Sequence, residues 1–317
     1  MKINSLEKLG IWTKDPRIEK ARKIILPLIK KRVKNNPIFD ELDLEHQILF
    51  RMTTFPVKDA FNHIEDIFEE QFTIICKRML AVKIPPEDLF CFGYPRENHN
   101  WKLKWESNKK ELYAINKKER RKVLFKEVSK EAAKEIMDNY HYIHCSRSTN
   151  GWAFGFYLEG FKYPFAVEEI EPCTQSHNYK KAILMLNDID YRTCVELTRF
   201  YSVPNSPRNV ISISDKLVGR ILKEKGFEWM MTATMPIFSK TKSTTIAGGI
   251  DKPIFCKKCE FEFFRRDDNC WELCVSRRKM ENHLTIKSVW NLHPVFEFIK
   301  PLKKQRVGDI PLIYIEK

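Results

Sequence analysis

The sequence predicts an α/β (α+β) chain: a mixed central sheet flanked by helices, preceded by a mainly helical N-terminal domain. Three observations predict it. From about residue 121 the pattern alternates in the order β-α-β-β-β-α-β, with turns at glycines and capping residues at helix starts. Before that point, apolar residues recur at helical spacing. The 317 residues, 43% apolar and 31% charged, can bury a core for about two domains, which the change of pattern places at 1–120 and 121–317.

The N-terminal domain shows two helical stripes. Ile18, Ala21, Ile24, Ile25, Leu28 and Ile29 form one, broken by Pro27. Phe61, Ile64, Ile67, Phe68, Phe72, Ile75 and Cys76 form a cleaner one, opposed by Glu65, Asp66, Glu69 and Glu70. Residues 102–126 read as a basic connector, with Lys102, Lys104, Lys109, Lys110, Lys117, Lys118, Arg120, Arg121, Lys122 and Lys126 interleaved with Trp101, Trp105 and Tyr113. Such a run either tracks phosphates and stacks bases or is a solvated linker.

The second half is read element by element. Val123–Val128 is a strand. Ser129 caps a helix that carries Ala133, Ile136, Met137 and Tyr140. Gly151–Leu158 is a buried strand, Gly160 a turn, and Pro164–Ile170 the hairpin partner. Cys194–Val203 is a further strand. A polar loop leads into a helix over Ser212–Lys225, ended by Gly226 in a left-handed conformation. Phe227–Met235 is one more strand.

Fifty-six basic against 42 acidic residues leave a net charge of +14, which points to a polyanionic partner. Nine cysteines are an odd number for a disulfide framework. No signal peptide opens the chain, and no stretch approaches the ~20 apolar residues of a membrane span. The expectation is a cytoplasmic protein with free thiols and no membrane partner.

Several groups carry chemistry. His141 and His144, with Tyr140, Tyr142 and Ser146 nearby, follow a helix and precede a buried strand. Two imidazoles there can bind a metal or pass protons. Arg199 interrupts an apolar strand. It is either a bidentate binder of carboxylate, phosphate or base, or a structural partner of an acid such as Glu168 or Glu169. Alternation puts it on one face with Leu197 and Tyr201. Arg208, Asn209 and Ser212 precede a helix start, where backbone N–H groups can hold an anion or simply be capped by Asn209, Ser212 or Ser214. In the C-terminal region Cys256-x2-Cys259 and Cys270-x3-Cys274 form a candidate structural zinc set, with His283 as a spare ligand. The alternative is buried cysteines on strands, among Phe255, Trp271 and Leu273.

The element order is similar to the GNAT acyltransferase fold. Three segments sharpen the likeness: His141-Tyr-Ile-His-Cys-Ser146, Glu196-Leu-Thr-Arg-Phe200 and Asn209-Val-Ile-Ser212. Together they resemble the Mom family of phage DNA-modification proteins, a divergent GNAT-like group, over roughly residues 121–250. The aspartate, histidine and tyrosine which that family carries further on are not evident between Met231 and Gly249. The resemblance implies transfer of a small acyl-type group to the exocyclic amine of adenine in DNA, in a bacterial host cytosol, with His141, His144, Arg199, Ser146 and Tyr142 in the catalytic centre. The acyl donor is unidentified. Acetyl-CoA is disfavoured, because Val210 and Ile211 stand where GNAT enzymes place a glycine-rich loop. An unstacked base would need phosphate contacts and a stacking pocket, for which Arg277–Lys279, Lys300–Arg306, Trp152, Phe154 and Tyr201 are available. The alternatives are an N-acyltransferase for a small amine or protein, and a non-catalytic nucleic-acid-binding protein.

Overall fold

Two helices open the chain in the computed structural model. It describes residues 16–33, 44–45, 48, 63–93, 100–106, 108–141, 146–147, 151–175, 181, 184–185, 189–203, 205–234, 265–266, 269–270 and 296–302. Helix α1 (Pro16–Val33) packs on α2 (Ile64–Met79). It runs through Pro27 rather than breaking there. Its buried stripe, Ala21, Ile25 and Ile29, continues on both sides of the proline. That packing offsets the hydrogen bond that proline cannot make. A one-turn helix, α3 (Pro86–Leu89), follows.

The sheet begins earlier than the change of pattern at 121. Residues 102–126 are no connector. They form β1 (Lys102–Glu106), β2 (Glu111–Ile115) and most of β3 (Arg120–Glu127), paired antiparallel in sequence order. One face of these strands buries Leu103, Leu112, Ala114 and Val123. This period-two pattern is masked in the sequence by the density of lysines on the other face.

The rest follows the expected order: α4 (Lys130–Asn139), β4 (Trp152–Leu158), β5 (Ala166–Pro172), β6 (Cys194–Ser202), α5 (Val210–Glu224) and β7 (Trp229–Thr234). Ser129 caps α4 by accepting from the Ala132 N–H at 3.2 Å. Gly160 (φ +88°) turns the β4–β5 hairpin, and Gly226 (φ +90°) ends α5. Two-residue strands β8 (Arg265–Arg266) and β9 (Asn269–Cys270) form a separate ribbon. A late strand, β10 (Phe296–Pro301), pairs antiparallel with β7. The main sheet among the described residues has eight strands in the order β1-β2-β3-β4-β5-β6-β7-β10. It is antiparallel except for the β6–β7 step, which is parallel. This is the mixed, helix-flanked sheet that the GNAT-like reading expects.

The two helices α4 and α5 take opposite faces of the sheet. On the α5 face, Val218 and Leu222 cluster with Phe154, Ile170, Val195 and Leu197. On the α4 face, Tyr140, the residue that caps α4, lies 6.1 Å ring to ring from Tyr201.

Candidate functional site

The site grows from one irregularity. In the β5–β6 ladder Glu169 faces Arg199, but the next pair is Ile170 with Leu197. Thr198 is the extra residue of a β-bulge. Its hydroxyl donates to the Glu169 carbonyl at 3.1 Å, which holds the bulge in place. Two consequences follow.

The first concerns faces. Glu171 lies directly opposite Glu196, and Glu169 opposite Arg199. Residues opposite one another share a face, and Glu169 and Glu171 are two apart on one strand. All four therefore share the α4 face. Leu197 points the other way, so the alternation that grouped it with Arg199 and Tyr201 fails at Thr198. Tyr201 stays with Arg199.

The second concerns the sheet. The parallel β6–β7 ladder runs from Cys194 opposite Trp229 to Leu197 opposite Thr232 and stops there. Thr232 Oγ1 donates to the Leu197 carbonyl at 3.2 Å across the last step. Beyond it β6 continues to Ser202 and β7 to Thr234 without pairing to each other. The bulge bends β6 away, and the two strands part beside Glu196 and Arg199.

The segment after α4 closes over this cluster. The Ser146 N–H donates to Asp138 Oδ1 at 2.8 Å. Ser146 Oγ donates to Glu169 Oε1 at 2.6 Å, and the Arg147 N–H to Glu169 Oε2 at 2.8 Å. The Arg147 guanidinium stands 4.0 Å from Glu196 Oε1. Arg199 donates through Nη1 to the Thr198 carbonyl at 2.6 Å. Glu169 and Glu196 are buried. Burial pushes the Glu171 carboxyl up. Arg147 draws it back, Glu196 and Glu169 push it further up, and Arg199 draws it back again. Three carboxyls and two guanidiniums thus act on one another in a largely buried patch at the parting of β6 and β7.

Among the residues singled out in the sequence, the structure brings Ser146 and Arg199 together around Glu169. His141 is buried immediately after the Tyr140 cap of α4. Tyr142 and His144 lie outside the described residues, as do Cys256, Cys259, Cys274 and His283, and of Cys270 only the backbone in β9 is described. No group of three or more metal-ligating side chains occurs among the described residues.

Arg208, Asn209 and Ser212 are placed apart from the carboxylate cluster, at the start of α5. The capping expectation is corrected. Helix α5 starts at Val210, two residues early, because Asn209 adopts φ +70° and its carbonyl accepts from the Ile213 N–H. Asn209 makes no side-chain cap, and Ser212 Oγ donates to the Asn209 carbonyl instead. Arg208 is tied through its backbone to Trp101 and Leu103, which lays β1 beside the helix start. Ser214 is buried one turn in and donates to Glu168 on the α5 face. Glu168 is held well above the usual carboxyl range by burial and by the neighbouring Asp215.

The proposed stacking rings are corrected too. Phe154 and Tyr201 are core residues, and Trp152 packs edge-on against Phe227. Many of the basic groups at 102–126 are likewise engaged. Arg120 stacks on Tyr113 at 3.6 Å and pairs with Glu106, Arg121 pairs with Glu119, and Lys122 with Glu111.

Sequence reasoning missed Glu171 and Glu196 as site residues and saw Glu169 only as a structural partner of Arg199. A signal was present: Glu168, Glu169 and Glu171 interrupt an otherwise apolar strand, and buried carboxylates need a reason.

No helix among the described residues is long and apolar enough to cross a membrane. No known family model and no curated protein matches the chain. Among solved structures it is similar to FeeM, an N-acyl amino acid synthase from uncultured soil microbes, at 12% sequence identity and a TM-score of 0.33, over 58% of this chain and 92% of that one.

Proposed function

We propose that the chain is a transferase that moves an acyl-type group onto an amine where β6 and β7 part. The observation that carries this reading is the end of the β6–β7 ladder at Leu197, beside a cluster of buried carboxyls. A strand edge released from its neighbour offers backbone N–H and C=O groups to an extended donor arm. The adjacent cluster offers an acceptor site of opposite character: carboxylates that orient an amine, and one whose raised proton affinity suits a general base. In this reading Arg199 and Arg147 hold the carboxylates, and Ser146 fixes Glu169. The bulky Val210 and Ile211 leave the donor open, so the test uses a panel of acyl thioesters, including acetyl-CoA, with amine acceptors of several classes. Product is detected as the mass gain of the acceptor. Arg199→Ala lowers the rate at least about tenfold, as removal of one charge-assisted hydrogen bond of about 1.5–3 kcal/mol would. Absence of any acylated acceptor across the panel rejects the reading.

A second reading narrows the acceptor to the exocyclic amine of a DNA base, probed as adenine. It is favoured by the exposed cations Lys102, Lys104 and Lys126, which register places on the same sheet face as the carboxylate cluster. Nucleoside mass spectrometry of plasmid DNA from expressing cells tests it. A modified nucleoside that disappears with Arg199→Ala supports it, and unaltered DNA rejects it.

A further inference from the structure

The three strands that open the sheet carry a charged surface away from the carboxylate cluster. Register sets Lys102 beside Ile115 and Arg120, and Lys104 beside Tyr113 and Lys122. Leu124 and Lys126 follow at period two on β3, so all of them share one face. Helix α4 lies over β4 and β6 on that side, while Lys102, Lys104, Leu124 and Lys126 are exposed. The cations Lys102, Lys104, Arg120, Lys122 and Lys126 stand there against the acids Glu106 and Glu111. Exposed Lys110 in the turn after β1, and Lys117 and Lys118 in the turn after β2, extend the basic surface at both ends.

The groups left over on this face decide what it takes. Arg120 pairs with Glu106 and lies 3.6 Å over the Tyr113 ring, and Lys122 pairs with Glu111. Lys126 sits 4.2 Å over the Tyr157 ring. A guanidinium fork and open ring faces are what nucleic-acid contacts use beyond charge, and here they are turned on one another. Left to a partner are the exposed ammonium groups and Leu124, which is 39% exposed between Lys122 and Lys126. A leucine gains little against the hydrated phosphates of a duplex. At a bilayer it enters the boundary between headgroups and acyl chains, and lysine stems lie along the same boundary with their charges at the lipid phosphates.

We propose that the exposed face of β1–β3 docks on an anionic lipid bilayer, with Leu124 entering the interface and Lys102, Lys104 and Lys126 meeting the headgroups. The proposal goes beyond the transferase reading and does not rest on it. The expectation of no membrane partner followed from the lack of a spanning segment, which a surface contact does not need. The second reading sets DNA on the same cations, and Leu124 is the group that separates the two partners.

The test is co-sedimentation of the full chain with vesicles of phosphatidylcholine alone, or of equal parts phosphatidylcholine and phosphatidylglycerol. Duplex DNA is titrated in parallel by fluorescence anisotropy. Binding to the mixed vesicles alone is expected, and it should weaken as salt rises. Each lysine at an anionic surface strengthens binding by about fivefold, so joint reversal of Lys102, Lys104 and Lys126 to Glu should weaken it by about a hundredfold or more. Leu124→Ser should weaken vesicle binding and leave any DNA binding unchanged. The substituted side chains are exposed, so both variants should keep the wild-type thermal melt. No binding to the mixed vesicles overturns the proposal, as does equal binding to both vesicle types or binding that either variant leaves unchanged. DNA binding that the lysine reversals abolish, with no vesicle binding, overturns it and gives the face to the second reading.

Discussion

Two glutamates adjacent in the sequence, Glu168 and Glu169, have opposite fates. Glu169 faces the α4 side and accepts from Ser146 and Arg147. Glu168 faces α5, accepts from Ser214 and sits beside Asp215. Burial and Asp215 raise its proton affinity, so the folded state binds a proton that the unfolded chain releases in the ordinary carboxyl range. The linkage sign follows. The stability this proton contributes is fully present below the unfolded carboxyl pKa and is lost as pH rises through the raised folded value. Glu168→Gln should therefore flatten the fall of Tm with rising pH while keeping the Ser214 contact, as thermal melts across the acid-to-neutral range would record. A variant whose Tm falls as steeply as the wild type's would contradict the account. Glu169 acts instead by satisfying donors. Glu169→Ala removes the acceptor that the half-buried Ser146 hydroxyl and Arg147 N–H share and should lower stability by about 1–3 kcal/mol in all, measurable by urea denaturation. At Cys91, burial pushes the thiol up to about 12, which leaves little thiolate at neutral pH although the side chain is only partly buried.

At the level of elements, the bulge in β6 and the apolar stripe of α5 position the site. Thr198 contributes one extra residue, and that residue puts Glu196 and Arg199 on a common face although they are three apart. Its deletion would restore plain alternation and keep these faces: Arg199 would follow Leu197 directly, with Leu197 still against α5 and Arg199 and Tyr201 still on the α4 face, and only the bend in β6 would be lost. The deletion variant should therefore fold, with a cooperative thermal melt, and a variant that does not fold would show that the bulge itself is needed. Helix α5 is held by Val218 and Leu222, both fully buried. Leu222→Ala should cost about 2–5 kcal/mol in a denaturant titration. Packing is as tight at Gly155. A Cβ there would meet Val128 Cγ2 at 2.7 Å and the Ala166 carbonyl oxygen at 2.8 Å, so β3, β4 and β5 close up only around a glycine.

Across the molecule, one sheet carries two different surfaces on its α4 face. Around β5 and β6, among the described residues, buried carboxyls outnumber half-buried guanidiniums. Over β1–β3 the lysines are exposed. If nucleic acid binds this chain, the exposed end should do it. Charge reversal of Lys102, Lys104 and Lys126 together should then lower DNA affinity and reduce the salt slope by about 0.9 for each phosphate no longer neutralised, with Tm unchanged. Equal affinity and slope would place any DNA binding elsewhere.

Which stretches become strand or helix from Arg120 to Thr234 was legible in the chain alone, because period, caps and glycine turns act over a few residues: Ser129, Gly160 and Gly226 do in the fold what their chemistry predicts. Ser146 and Arg199 were singled out in the sequence, and the structure places both beside Glu169. Strands β1 and β2 were not legible, since their buried alternation is hidden among lysines, nor was the helix running through Pro27, which packing against α2 sustains. Three features exist only once the segments are packed together: the bulge in β6, the parting of β6 and β7 after Leu197, and Glu171 facing Glu196. Strand register and hydrogen-bond partnership belong to pairs of segments. A residue's own neighbours in the chain carry no record of which strand will lie across from it.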